Sequence, residues 1–160
     1  MATGQHGDQE VSFAPMRDED RPEVLAIERA SFRSPWSEQA FRFDLHENPS
    51  ARSLVARDAS GAVVGYGCSW HVYEELRINN IAVREDMRGR SIGRALLRRM
   101  IQEGRLAGCR VVLLEVRPSN LVARALYESE GFTQIGRRKD YYRVEREDAL
   151  VMALELVPEN

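Results

Sequence analysis

Three short stretches of this sequence combine residue types that could do chemistry together. The first is the run Arg88-Gly89-Arg90-Ser91-Ile92-Gly93-Arg94. It follows an apolar segment and opens a helical pattern, which is the setting of an anion-binding loop. Backbone N–H groups at a helix start lack intrahelical partners, and the helix dipole favours negative charge there. Gly93 would let a phosphate come close to the backbone. Residues 88–99 hold five arginines and no acid. Arg98 and Arg99 read as a solvated helix face, and the same plain reading stays open for the run as a whole. The loop lacks the Gly-Lys-Ser/Thr ending of a Walker loop. The strand before it is reached through hairpins rather than a βαβ unit, so it is not a Rossmann fingerprint either.

The second stretch is centred on Glu115, which interrupts the apolar run 111–116 near its end. A carboxylate among aliphatic residues is costly unless it is paired or opens onto a cavity. Two readings follow: an ion pair with Arg117 or Arg110, or a general base whose basicity is raised by apolar surroundings. A free α-amino group titrates near about 8, so even a modest base can take its proton, directly or through water. The third stretch holds Asn120 and Tyr127. Seven residues are two helical turns, so both lie on one helix face. Asn120 could serve only as a helix cap and Tyr127 only as core packing. A phenol is also a suitable proton donor to a departing thiolate.

The elements that must position these residues can be read from periodicity. Residues 11–16 form a first strand. Asp18-Glu19-Asp20-Arg21-Pro22 opens a helix that Val24, Leu25, Ile27 and Ala30 continue. Ser34-Pro35-Trp36-Ser37 breaks it, and Ser37 caps a second helix with Ala40, Phe41 and Leu45 inward. Residues 53–56, 62–72 and 76–83 read as antiparallel strands, with Ser60-Gly61 turning the first pair. Residues 86–90 form a charged turn. A helix over 92–106 follows, with Ile92, Leu96 and Met100 on one row, Leu97 and Ile101 beside it, and Gly104 and Gly108 weakening its end. Val111-Val112-Leu113-Leu114 reads as a strand covered on both faces. Ser119-Asn120 caps a helix over 121–129 that Gly131 ends. Residues 132–135 and 149–156 complete a mixed α/β sheet with helices on both faces.

At 160 residues with 43% hydrophobic and 30% charged residues, the chain is a single domain able to bury a core rather than a disordered segment. Residues 11–157 are its expected extent, with 1–10 as a disordered tail. Lys139 is the sole lysine beside 22 arginines, most of which codon bias explains. Residues 1–80 carry 8 basic and 13 acidic groups, and residues 81–160 carry 15 and 12, so the formal net charge of −2 hides an acidic first half. Nothing here calls for direct nucleic-acid or membrane contact. Cys68 and Cys109 support neither a disulfide framework nor a zinc site, and no metal is expected. With no signal-like start and no long apolar run, a cytoplasmic location is the expectation.

The segments Asn80-Ile81-Ala82-Val83, Arg88 to Leu97, Leu114-Glu115-Val116-Arg117, Ser119-Asn120, Ala125-Leu126-Tyr127-Glu128 and Gly131-Phe132 together resemble the GNAT N-acetyltransferases. Ile27-Glu28, Ser34-Pro35-Trp36-Ser37, Tyr141-Tyr142 and Arg146-Glu147-Asp148-Ala149 resemble the branch of that family that acetylates the N-terminal alanine of a bacterial ribosomal protein. Archaeal protein N-terminal acetyltransferases share most of these substrate-side segments. The likeness spans about residues 11–157.

The resemblance implies a GNAT fold with a mixed sheet of six to seven strands and a cleft where two central strands splay. It implies acetyl-CoA as cosubstrate, held by Ile81, Ala82, Val83, Arg88, Gly89, Arg90, Ser91, Ile92, Gly93, Arg94 and Asn120. The pyrophosphate would meet the backbone of 89–94, the pantetheine arm would lie along 81–83, and the Val83 N–H would polarise the thioester carbonyl. Glu115 would be the general base and Tyr127 the acid. Trp36, Tyr141 and Tyr142 would wall the slot for a protein N-terminus, that of a small-subunit ribosomal protein in the first place. A broader N-terminal or small-amine acetyltransferase is the nearest alternative, and an inactive acetyl-CoA-binding regulatory module is the alternative of another class. The family loop usually has glycine where this chain has Ser91. Serine is expected there in a helical first position, where it costs little, rather than in a left-handed one.

Overall fold

In the computed structural model, which describes residues 10–157, the chain runs β1 (Ser12–Pro15), α1 (Arg21–Ser31), α2 (Glu38–His46), β2 (Ala51–Arg57), β3 (Val63–Val72) and β4 (Glu75–Val83). It continues through α3 (Ile92–Leu106), β5 (Val111–Val116), α4 (Leu121–Ser129), β6 (Thr133–Tyr142) and β7 (Glu147–Glu155). Short 3-10 turns at Asp18–Asp20 and Glu85–Met87 precede α1 and the loop before α3. Apart from Glu10, the expected tail lies outside the described residues. The element order is the expected one. The seven strands form a single sheet in the order β1-β2-β3-β4-β5-β7-β6, antiparallel throughout except between β4 and β5.

Strand alternation divides the core in two. In β2, Leu54 and Ala56 are buried on the face that α3 covers, and Val55 is buried on the face that α1 and α2 cover. Ile92, Leu96, Leu97, Met100 and Ile101 of α3 fill the first cluster with Leu76, Ile78, Val112 and Leu114. Val24, Leu25 and Ile27 of α1, with Phe41 of α2, fill the second against Tyr66, Cys68 and Ala82. Ser37 caps α2, its Oγ accepting from the Ala40 N–H at 3.1 Å. Gly104 corrects its expected role. It is a packing site rather than a weak end, since a Cβ there would stand 2.8 Å from Leu76 Cδ2. At Gly67 a Cβ would stand 2.5 Å from Met100 Sδ, so α3 lies close on β3.

Two strands differ from expectation. Strand β5 is closed on one face only: Val112, Leu114 and Val116 are buried, while Val111, Leu113 and Glu115 are half-buried. Strand β6 extends to Tyr142, well past the expected 132–135. Its polar residues read as loop because nearly all of them face solvent on an edge strand, and its register shifts twice against β7. Both cysteines are free and buried, Cys68 within β3 and Cys109 just before β5. No helix among the described residues is long and apolar enough to cross a membrane, and none of their His, Cys, Asp and Glu side chains cluster to hold a metal ion.

Candidate active site

Parallel pairing between β4 and β5 covers only Glu75–Ile78 against 111–114. Beyond it both strands continue without a ladder between them, and Glu115 is the first residue of β5 past the last pair. A register shift against β3 helps turn β4 away: Cys68 faces Asn80 but Ser69 faces Ile78, leaving Asn79 as an extra residue. The parting strands open a cleft of about 500 Å³, the size of a small-molecule site.

This cleft gathers residues far apart in sequence. Asn80 and Ile81 come from β4, Leu113 and Glu115 from β5, Asn120 and Tyr127 from the start and body of α4, and Trp36 from the loop between α1 and α2. Arg138, Tyr141 and Tyr142 come from β6. The tyrosines were expected between the last two strands. They lie instead at the end of β6, edge to face with ring centroids 5.0 Å apart.

Glu115 is not surrounded by apolar groups alone, and its partner is neither Arg117 nor Arg110. Arg138 Nη1 donates to Oε1 at 3.3 Å, while Arg117 lies 3.9 Å from Glu145 and 3.7 Å from Glu147. Strand β6 brings Arg138 across β7, a long-range placement that no local spacing announces. The Arg138 guanidinium also sits 5.1 Å over the Tyr141 ring. Asn120 caps α4, its Oδ1 accepting from the Ala123 N–H at 3.2 Å, and its amide N–H₂ remains the group able to donate to a ligand. The Tyr127 ring packs at 5.8 Å on Phe132, and burial pushes its phenol up to about 12, so it is protonated at neutral pH. Burial also raises the Tyr142 phenol, with the Tyr141 hydroxyl and the Glu115 carboxylate adding to it.

The loop from Arg88 to Arg94 lies outside the residues lining this cleft, as do Ala82 and Val83. Its helix start is chemically bare: Ser91 makes no capping bond and the first turn of α3 holds no acid. The N–H groups of Ile92, Gly93 and Arg94 therefore have no intrahelical acceptor. The arginines divide. Arg88 donates to the Val83 carbonyl at 3.0 Å and to Ser31 Oγ at 3.2 Å, tying the loop to α1. Arg94 bonds Glu130 and, at 2.9 Å, Ser129 Oγ. Arg98, expected to be merely solvated, grips Glu130 at 2.7 and 3.0 Å. These two arginines fasten α3 to the end of α4 and hold the Glu130 carboxyl below its ordinary range.

Ser91 overturns its expectation. Its φ of 64° and ψ of 18° are left-handed, and it is the N-cap of α3 rather than a helical first residue. A side chain in that conformation costs roughly 1–2 kcal/mol. Ser91→Gly is therefore expected to stabilise the fold by about 1 kcal/mol, a rise in Tm of roughly 2–4 °C. Thermal melts of the two proteins check this, and an unchanged or lower Tm would refute it.

One residue that sequence patterning did not single out for chemistry is Glu28, which is buried and lines the cleft. A signal existed: it follows Val24 by four residues on the inward stripe of α1, where a charge is anomalous.

The sheet parts between two central strands, and a helix with a bare start follows the first of them. Residues 21–132 match the Acetyltransferase (GNAT) family, and the chain belongs to it. It is an N-acetyltransferase by that membership and by its relatives. A Bacillus subtilis protein, provisionally named a ribosomal protein bS18-alanine N-acetyltransferase, is 41% identical over 86% of this chain and 90% of its own. The Escherichia coli K12 ribosomal protein bS18-alanine N-acetyltransferase is 35% identical over 91% of this chain and 97% of its own. The crystal structure of the ribosomal-protein-S18-alanine N-acetyltransferase from Escherichia coli superposes with a TM-score of 0.83 at 32% identity, covering 94% of this chain and 98% of that one.

Proposed function

We propose that this protein transfers the acetyl group of acetyl-CoA to the α-amino group of a protein N-terminus, and that its acceptor is the N-terminal alanine of ribosomal protein bS18. The observation that carries this reading is that Glu115 and Tyr127, a base and an acid, face one cleft where β4 and β5 part.

In this reading the bare start of α3 takes the coenzyme pyrophosphate, Asn120 donates to the pantetheine arm, and that arm lies along 81–83 as an added strand. The acceptor enters past Trp36, Tyr141 and Tyr142. Glu115 removes a proton from the α-ammonium, directly or through water. The amine attacks the thioester carbonyl, whose developing oxyanion the Val83 N–H stabilises. Collapse forms the amide and breaks the C–S bond: the nitrogen gives up its second proton to solvent, and the Tyr127 phenol protonates the leaving thiolate. Glu115 leaves protonated and Tyr127 deprotonated, and solvent exchange restores both. Retention of both groups favours an enzyme over an inactive coenzyme sensor. The reading places the enzyme in the cytoplasm with its ribosomal acceptor and requires no metal.

The test is release of coenzyme thiol from acetyl-CoA on addition of a peptide bearing the alanine-initiated N-terminus of bS18. Transfer to its α-amine, located by mass spectrometry, is expected. Thiol release no faster than without peptide would sink the reading, and equal rates on unrelated N-termini would replace it with the broader enzyme.

A further inference from the structure

Glu28 is 1% exposed, yet among the described residues its carboxylate forms no ion pair. Its partners are three neutral donors from three different elements. Tyr66 of β3 donates its hydroxyl, Asn80 of β4 donates its amide at 2.8 Å, and the backbone N–H of Trp36 donates at 2.8 Å. The chain of contacts closes on itself. The Trp36 ring packs at 5.3 Å on Phe41, and Phe41 packs edge-on at 5.9 Å against Tyr66. Burying a carboxylate is expensive, and an apolar side chain would fill the same space more cheaply. What an apolar side chain cannot do is hold the Trp36 N–H, which belongs to the loop forming one wall of the cleft.

We infer that Glu28 is the positioning residue of the acceptor-side wall: it fastens the Trp36 loop to β3 and β4 and so sets how large a first residue the slot admits. The inference rests on the proposed acceptor reading. A wall held by one buried anchor has one position. Freed from it, the loop and its indole can give way to larger side chains while the coenzyme side is untouched. Asp44 plays a parallel part for the second tryptophan of the cleft, accepting from the Trp70 indole N–H at 3.0 Å.

The test compares Glu28→Leu, Glu28→Asp and Glu28→Gln with the wild-type enzyme. The acceptors are two peptides that differ only in a first residue of alanine or leucine, at saturating acetyl-CoA. Leucine keeps bulk but leaves the Trp36 N–H without an acceptor. Aspartate keeps the charge but is too short to reach both sides. Glutamine keeps an oxygen for Trp36, while its N–H₂ can donate to Asn80 Oδ1 after that amide turns over. Glu28→Leu is expected to raise KM for the alanine peptide about ten-fold and to cut the alanine-to-leucine ratio of kcat/KM about ten-fold. KM for acetyl-CoA should stay within about two-fold. Glu28→Asp should lose part of the discrimination and Glu28→Gln should retain it. A lowered Tm with wild-type discrimination in Glu28→Leu would make Glu28 merely structural and overturn the inference. Should Glu28→Leu not fold, wild-type discrimination in Glu28→Asp overturns it equally. Failure of the wild type on both peptides would instead strike the acceptor reading itself.

Discussion

Glu115→Gln is expected to lower kcat by about 10²–10⁴-fold while KM for acetyl-CoA stays within a factor of a few, the signature of lost general-base catalysis. The α-amine reaches the enzyme largely as ammonium, since it titrates near about 8, and an ammonium has no lone pair for the thioester. Glutamine keeps the size and one hydrogen-bonding oxygen of Glu115 but cannot take the proton. The substitution also removes the partner of Arg138. That pair joins a side chain 54% exposed to one 25% exposed, so solvent screens it and little stability is at stake. Thermal melts should therefore overlay while the rates diverge. Raising the pH should recover part of the lost rate, because more of the peptide then arrives already deprotonated. Wild-type turnover in Glu115→Gln would place the base elsewhere.

Tyr127→Phe is expected to lower kcat by about 10²-fold or more with KM for acetyl-CoA nearly unchanged. A coenzyme thiolate is a far poorer leaving group without a proton donor. Burial holds the Tyr127 phenol up to about 12, so it stays loaded with its proton across the whole range in which the amine becomes nucleophilic. The sign is clear: a raised phenol pKa keeps the acid form, so ionisation of Tyr127 should cause no loss of rate around neutral pH. Phenylalanine preserves the ring packing on Phe132, which separates lost chemistry from lost fold. A wild-type rate would return Tyr127 to a packing role.

Much of this molecule was legible before folding because its signals are local. The bounds of α3 follow from a 3.6-residue apolar stripe, those of α4 from the Asn120 cap and Gly131, and both agree with the structure. Glu115 stood out because a carboxylate breaks an apolar run, and Asn120 and Tyr127 because two turns of helix place them on one face. These three do share one cleft. Other features leave no local mark. The full length of β6 does not show, because an exposed edge strand carries no buried alternation to read. The conformation of Ser91 does not show either, because composition does not reveal φ, and the turn from β4 into α3 imposes the left-handed one.

What the sequence determined by itself was the element order, the catalytic candidates and the family likeness, all encoded over a few residues or helical turns. Only the tertiary structure decided which charges meet. Arg138 rather than Arg117 faces Glu115, Arg94 and Arg98 converge on Glu130, and Glu28 gathers Tyr66, Asn80 and the Trp36 N–H into one buried anchor. The reason is physical. A helix or strand is specified by near neighbours, whereas a pairing across as many as 52 residues exists only once the sheet has fixed its strand order and the place where its central strands part.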